Sequence, residues 1–137
     1  MHILAHQAQM VVEGAEIRAH ELGLSVIIAV VDAGTHLKAF HRMDGAVLGS
    51  IDIATRKAIT AALFQCNSED VWEYCKPGAP APGLEFTNGG LAPYGGGIAL
   101  KLPGGICVGA VGVSGGTIAQ DTEIARAGLA AFPATSD

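Results

Sequence analysis

Apolar residues recur at helical spacing through the first stretch of the chain, at Leu4, Ala8, Val11, Val12, Ala15, Ala19 and Leu22, and Gly23 follows as a stop signal. The spacing predicts an amphipathic helix over residues 3–22. Ser25 to Asp32 then runs Ser-Val-Ile-Ile-Ala-Val-Val-Asp, β-branched and apolar at successive positions, which is the pattern of a strand buried on both faces. Turn chemistry at Asp32-Ala33-Gly34-Thr35 leads into an alternation of Leu37, Ala39 and His41 against Lys38 and Phe40, so a hairpin partner ending near Met43 is expected.

The segment from Val47 to Gln65 places Ile51, Ala54, Ala58 and Ala61 on one stripe with Arg56 and Lys57 beside it, the mark of a second helix. Further helical turns are expected over Glu69 to Cys75, before the Pro/Gly stretch from Lys76 to Gly83, which can sustain neither helix nor strand. Gly97 to Leu102 and Ile106 to Ser114 flank Pro103-Gly104-Gly105 and read as a second hairpin. Thr117 and Gln120 form a capping box that opens a last helix, carrying Ile124, Ala127, Leu129 and Ala131 and stopped by Pro133. Helix, hairpin, helix, glycine-rich loop, hairpin, helix gives one α+β domain over residues 1–137, an antiparallel sheet flanked by helices.

Composition adds a surplus. Half of the residues are hydrophobic and only 15% are charged, with a mean hydropathy of +0.39, more apolar surface than a monomer of this size readily hides. The longest strongly apolar run, Val26 to Val31, falls far short of the roughly 18–20 residues that span a bilayer. Self-association is therefore expected to absorb the surplus, with helix one (Val11, Val12, Ile17) and the Pro77–Gly83 loop as the expected contacts. A net charge of −5 without a Lys/Arg run points away from nucleic acid, and no membrane partner is expected. Cys66, Cys75 and Cys107 contain no CxxC pair and read as small core side chains rather than disulfide or zinc ligands. With no basic-then-apolar leader at its start, the chain is expected in the cytoplasm.

Several groups are candidates for chemistry. Ser114-Gly115-Gly116, between a strand and a capped helix start, offers backbone N–H groups and a helix dipole suited to a carboxylate or phosphate. Gly95 and Gly96, beside Tyr94, allow a flat ligand to approach the backbone, and the Tyr94 hydroxyl can meet a polar group on it. Lys57 lies among small apolar neighbours, where burial lowers an amine's pKa and fits it to anchor a carboxylate or serve as a base. Arg42 and Asp44 flank the end of the second strand, and Asp121 falls in the first turn of the last helix. Five histidines form no metal-ligand pattern, but haem iron needs a single imidazole, for which His20 and His41 are the candidates.

Ile28-Ala29-Val30-Val31-Asp32-Ala33-Gly34, His41-Arg42-Met43-Asp44-Gly45-Ala46, Ser50-Ile51-Asp52-Ile53-Ala54, Pro93-Tyr94-Gly95-Gly96-Gly97-Ile98 and Gly109 to Gly116 with Gln120-Asp121 together resemble the GlcG/HbpS family, which is related to the C-terminal domain of PduO-type proteins. The resemblance covers nearly the whole chain. It implies a profilin-like fold, homo-oligomers, and haem binding in some members. Where the family's glycine-rich segment often has Phe and Pro, this chain has Tyr94 and Gly95, a change that alters the polarity or width of a pocket there.

Three functions follow as expectations. The first is a binder of haem or a related anionic small molecule. The second is a small metabolic enzyme acting on a carboxylate or carbonyl compound, with Lys57, Asp44, Asp121 and Tyr94 as acid, base and anchoring groups. The third is a scaffold subunit that binds nothing small.

Overall fold

The computed structural model describes residues 1–134 and contains the helices α1 (Ala5–Glu21), α2 (Ser50–Phe64), α3 (Ser68–Cys75) and α4 (Ile118–Ala131). Its strands are β1 (Ile27–Asp32), β2 (Leu37–Arg42), β3 (Gly97–Lys101) and β4 (Cys107–Ser114), with one 3-10 turn at Leu84–Phe86. All elements expected from the hydrophobic pattern are present, displaced at some ends by backbone bonding that periodicity does not reveal. α1 begins at Ala5 because the Ile3 N–H donates to the Val108 carbonyl at 2.9 Å, which keeps the preceding residues extended along β4. The Gln7 side chain then accepts the Leu4 N–H at 2.8 Å and closes the helix start.

The strands form one antiparallel sheet in the order β2-β1-β4-β3. Each hairpin is a chain neighbour pair, whereas the central pairing joins β1 to β4, with Ile27 opposite Ser114 and Asp32 opposite Gly109. Val26, Ile28 and Val30 look toward α1 and α4, where they share a core with Val11, Val12, Ala15, Val111, Val113 and Ile124. Ile27, Ala29 and Val31 look the other way, toward Ala54, Ala58 and Ala61 of α2. Burial on both faces explains why β1 carries apolar residues at successive positions rather than alternate ones.

α2 lies unusually close to the sheet, because Gly97 and Gly112, opposite each other across β3 and β4, leave room for its backbone. A methyl group at Gly112 would meet the Ala54 carbonyl and come within 2.6 Å of the Ala58 nitrogen, and one at Gly97 would meet the Lys57 carbonyl. The alanine stripe of α2 is the other half of this fit, since larger side chains would lift the helix away.

One expectation needs correction. Val11 and Val12 do not form a subunit contact, for Val12 is only 3% exposed and belongs to the core between α1 and the sheet. Ile17 alone of the three stands out into solvent, since α4 also packs on α1 and widens the apolar stripe that the helix needs. Cys75 is buried and Cys66 and Cys107 are half-buried, and all three thiols are free. Among the described residues no helix is long and apolar enough to cross a membrane.

Candidate functional site

The structure sorts most of the sequence-predicted residues into two places, while Gly95 lines, with Tyr94, a further cleft beside Trp72. Lys57, Tyr94, Gly96, Ser114, Gly115, Gly116 and Asp121 gather where α2, the glycine-rich loop, the end of β4 and the start of α4 meet. His20, His41, Arg42 and Asp44 gather elsewhere, around a cleft between α1 and the end of β2.

At the first place Lys57, only 1% exposed, projects from α2 and donates from Nζ to the Val113 carbonyl at 2.9 Å and to Asp121 Oδ2 at 3.0 Å. Its Nζ also lies 5.7 Å from the centre of the Tyr94 ring. The other oxygen of Asp121, Oδ1, accepts the Gly116 N–H at 2.8 Å. The anion that the Ser114-Gly115-Gly116 turn is built to receive is thus the chain's own carboxylate, in the first turn of α4 where the helix dipole favours it. Gly115 adopts φ +145°, and a Cβ there would lie 2.8 Å from the Ser25 carbonyl. Gly96, at φ +122°, leaves the space in which Lys57 lies, since a Cβ would sit 2.8 Å from Nζ.

Burial pushes the pKa of Lys57 down, against the pull of the Asp121 charge, and pushes that of Asp121 up, against the Gly116 N–H and the Lys57 ammonium. Mutual hydrogen bonding at 3.0 Å is what lets the two share so buried a location. Ser114, also expected to touch a ligand, is 5% exposed and donates to Ser50 Oγ at 3.0 Å, so it too serves the interior. Ser68, which the sequence did not single out, fixes the glycine segment by donating to the Tyr94 carbonyl at 2.5 Å and accepting the Gly97 N–H at 2.9 Å.

The second place is an open cleft of about 410 Å³ lined by Glu16, His20, Leu24, His41, Arg42, Met43 and Asp44 among others. Glu16 Oε2 meets His20 Nε2 at 3.3 Å, one helical turn along α1, and His41 Nε2 at 3.1 Å across to β2. One carboxylate oxygen therefore holds two imidazoles. Glu16 was not foreseen, although its spacing of four residues from His20 is a recognisable helical pair. Among the described residues no group of three or more His, Cys, Asp or Glu side chains is arranged to hold a metal ion.

The family described as "Haem degrading protein HbpS-like" matches residues 3–130. The chain belongs to this HbpS-like family. It is 36% identical over 126 residues to a Citrobacter freundii protein described as an uncharacterised 15.0 kDa protein of the dhaT-dhaS intergenic region, a match covering 91% of this chain and 88% of that protein. It is 34% identical over 133 residues to the corrinoid adenosyltransferase PduO of the same organism, covering 96% of this chain but 39% of PduO, so it spans about two fifths of that relative. Among solved structures, a PduOC complex with haem superposes with a TM-score of 0.91 at 33% identity, covering 97% of this chain and 96% of that one. The HbpS-like fold of the sequence reading, a single four-stranded antiparallel sheet with helices, is thereby shown.

Proposed function

We propose that this HbpS-like protein binds haem, or a related planar anionic ligand, in the cleft between α1 and the end of β2. The observation that carries this reading is the convergence of two imidazoles, His20 and His41, with the guanidinium-bearing Arg42 on one open cleft. Imidazole is a common axial ligand of haem iron, and Arg42 is suited to a ligand carboxylate. Half-buried Leu24 adds apolar surface for a flat ring. Haem in the similar PduOC structure supports the same reading. Bound haem would supply the redox chemistry of its iron, while the chain's own residues hold and orient the ring, with Arg42 the cleft's cation beside the carboxylates of Glu16 and Asp44.

Ligation through Nε2 requires one imidazole to leave Glu16, whose carboxylate then holds the other. Titration with haem tests the assignment: a shifted, saturable Soret band is expected, and replacing both His20 and His41 with Ala should abolish or displace it. A band untouched by the double replacement refutes ligation by these histidines. The enzymatic alternative finds less support, because Lys57 and Asp121 are sealed against each other and Asp44 stands in the other cleft.

The chain is further proposed to act as a homo-oligomer in the cytoplasm. Phe86 is 85% exposed, just beyond the Pro/Gly loop, and Val47, Leu48 and Ile17 are also exposed, more large apolar surface than a monomer commonly shows. Three free thiols suit a reducing compartment. Light scattering at low micromolar concentration is expected to give a multiple of the 13.9 kDa chain mass; a clean single-chain mass would refute the oligomer.

A further inference from the structure

A third cleft, of about 480 Å³, lies between α3, the glycine-rich loop and the start of α4, apart from the histidine cleft. Trp72, Tyr94, Pro93 and Ile118 form its apolar wall, and both aromatic side chains remain open to solvent, Trp72 at 41% and Tyr94 at 43%. Glu69, Asp70 and Glu73 supply the charge, and among the described residues no Lys or Arg lines it.

The three carboxylates are not equivalent. Asp70 accepts the Asn67 N–H at 3.1 Å as part of the α3 helix start, and Glu73 pairs with Lys76 at 2.6 Å. Glu69 is half-buried in the cleft wall and has no such partner among the described residues. Gly95 makes room for it: a Cβ there would fall 2.9 Å from Glu69 Oε2, 2.9 Å from Ile118 Cγ2 and 2.5 Å from Thr122 Oγ1. Unlike Gly96, this glycine is not held at a positive φ, so space rather than backbone conformation calls for it. A half-buried, unpaired carboxylate lining one cleft with two aromatic rings suits an ammonium group, by Coulomb attraction and by the negative ring faces, that of Trp72 above all, since the Tyr94 ring already has Lys57 Nζ 5.7 Å from its centre. An anionic ligand such as haem would meet the wrong sign of charge here.

We propose that the Trp72–Tyr94 cleft binds a small organic cation, an ammonium group carried on an apolar body, with Glu69 as its counter-charge. Trp72 is the chain's sole tryptophan, so its fluorescence reports on this cleft alone. Titration of the full chain with benzyltrimethylammonium should change the Trp72 emission saturably, while toluenesulfonate, an anion of similar size, should not. Glu69→Gln is expected to weaken the cation at least fivefold with an unchanged melting temperature, and Glu69→Lys to admit the sulfonate in its place. Equal responses to cation and anion, no saturable response to either, or a cation affinity indifferent to both Glu69 variants would overturn the proposal. Should Glu69→Gln melt early, Glu69→Lys decides the matter through the reversal of preference, which misfolding does not produce.

Discussion

Lys57–Asp121 and Glu16–His20–His41 each join a carboxylate to nitrogen-bearing side chains, yet they occupy opposite ends of the range of burial. Lys57 and Asp121, 64 residues apart, have side chains only 1% and 3% exposed, and the second carboxylate oxygen is held by the Gly116 N–H. In the other cluster the side chains are 32% to 67% exposed, and one carboxylate oxygen is divided between two imidazoles. Burial commits the first pair to architecture: it ties α2 to the end of β4 and the start of α4, and nothing from solution reaches it. Exposure leaves the second open to exchange, because an imidazole that leaves Glu16 meets water or a ligand rather than an uncompensated interior.

The largest effect that separates the two follows from leaving one buried charge alone. Lys57→Met should lower stability by about 3–5 kcal/mol in equilibrium denaturation. Adding Asp121→Leu should recover most of that loss, since the pair's desolvation penalty goes with its charges. A double variant no more stable than the single one would show that packing, not unpaired charge, dominates. The pH dependence has a definite sign. Burial raises the carboxyl pKa of Asp121 above its ordinary 3.8, so the stability this group contributes is present below that value and is lost as pH rises through the folded-state pKa. Without Lys57 that pKa climbs further. The Lys57→Met variant should therefore lie nearest the parent around pH 4 and fall increasingly short of it toward neutrality. A deficit independent of pH would contradict this account.

The smallest expected effect on stability lies in the exposed cluster. Glu16→Gln should change the unfolding free energy by less than about 1 kcal/mol, as is usual for solvent-exposed side-chain contacts. Its effect on haem should be larger, a several-fold rise in affinity measured by Soret titration, because the replacement removes a competitor for the imidazole Nε2. A loss of stability comparable with that of Lys57→Met would erase the distinction between the clusters.

Much of this protein was legible in its linear pattern, because burial on one stripe, on one face or on both faces dictates which side chains a helix or strand can carry. The capping box at Thr117 and Gln120 appears as expected, with Thr117 Oγ1 accepting the Gln120 N–H at 3.2 Å, since both partners lie within one helical turn. Both hairpins form for the same local reason. Tertiary structure decided what depends on distant parts of the chain meeting. The anion-suited Gly116 turn, the acidic first turn of α4 and the lysine among alanines were three separate signals along the chain, and only the pairing of β1 with β4 and the close seat of α2 on Gly97 and Gly112 turn them into one buried network. Val11 passed for a surface contact because its neighbour Gly128 of α4 arrives more than a hundred residues later. Glu16 drew no notice for a related reason: its pairing with His20 is local, but the meeting with His41 that makes a cleft of it exists only once β2 lies beside α1. Local periodicity records how much of a residue is to be buried, whereas the identity of its neighbour is a property of the folded chain.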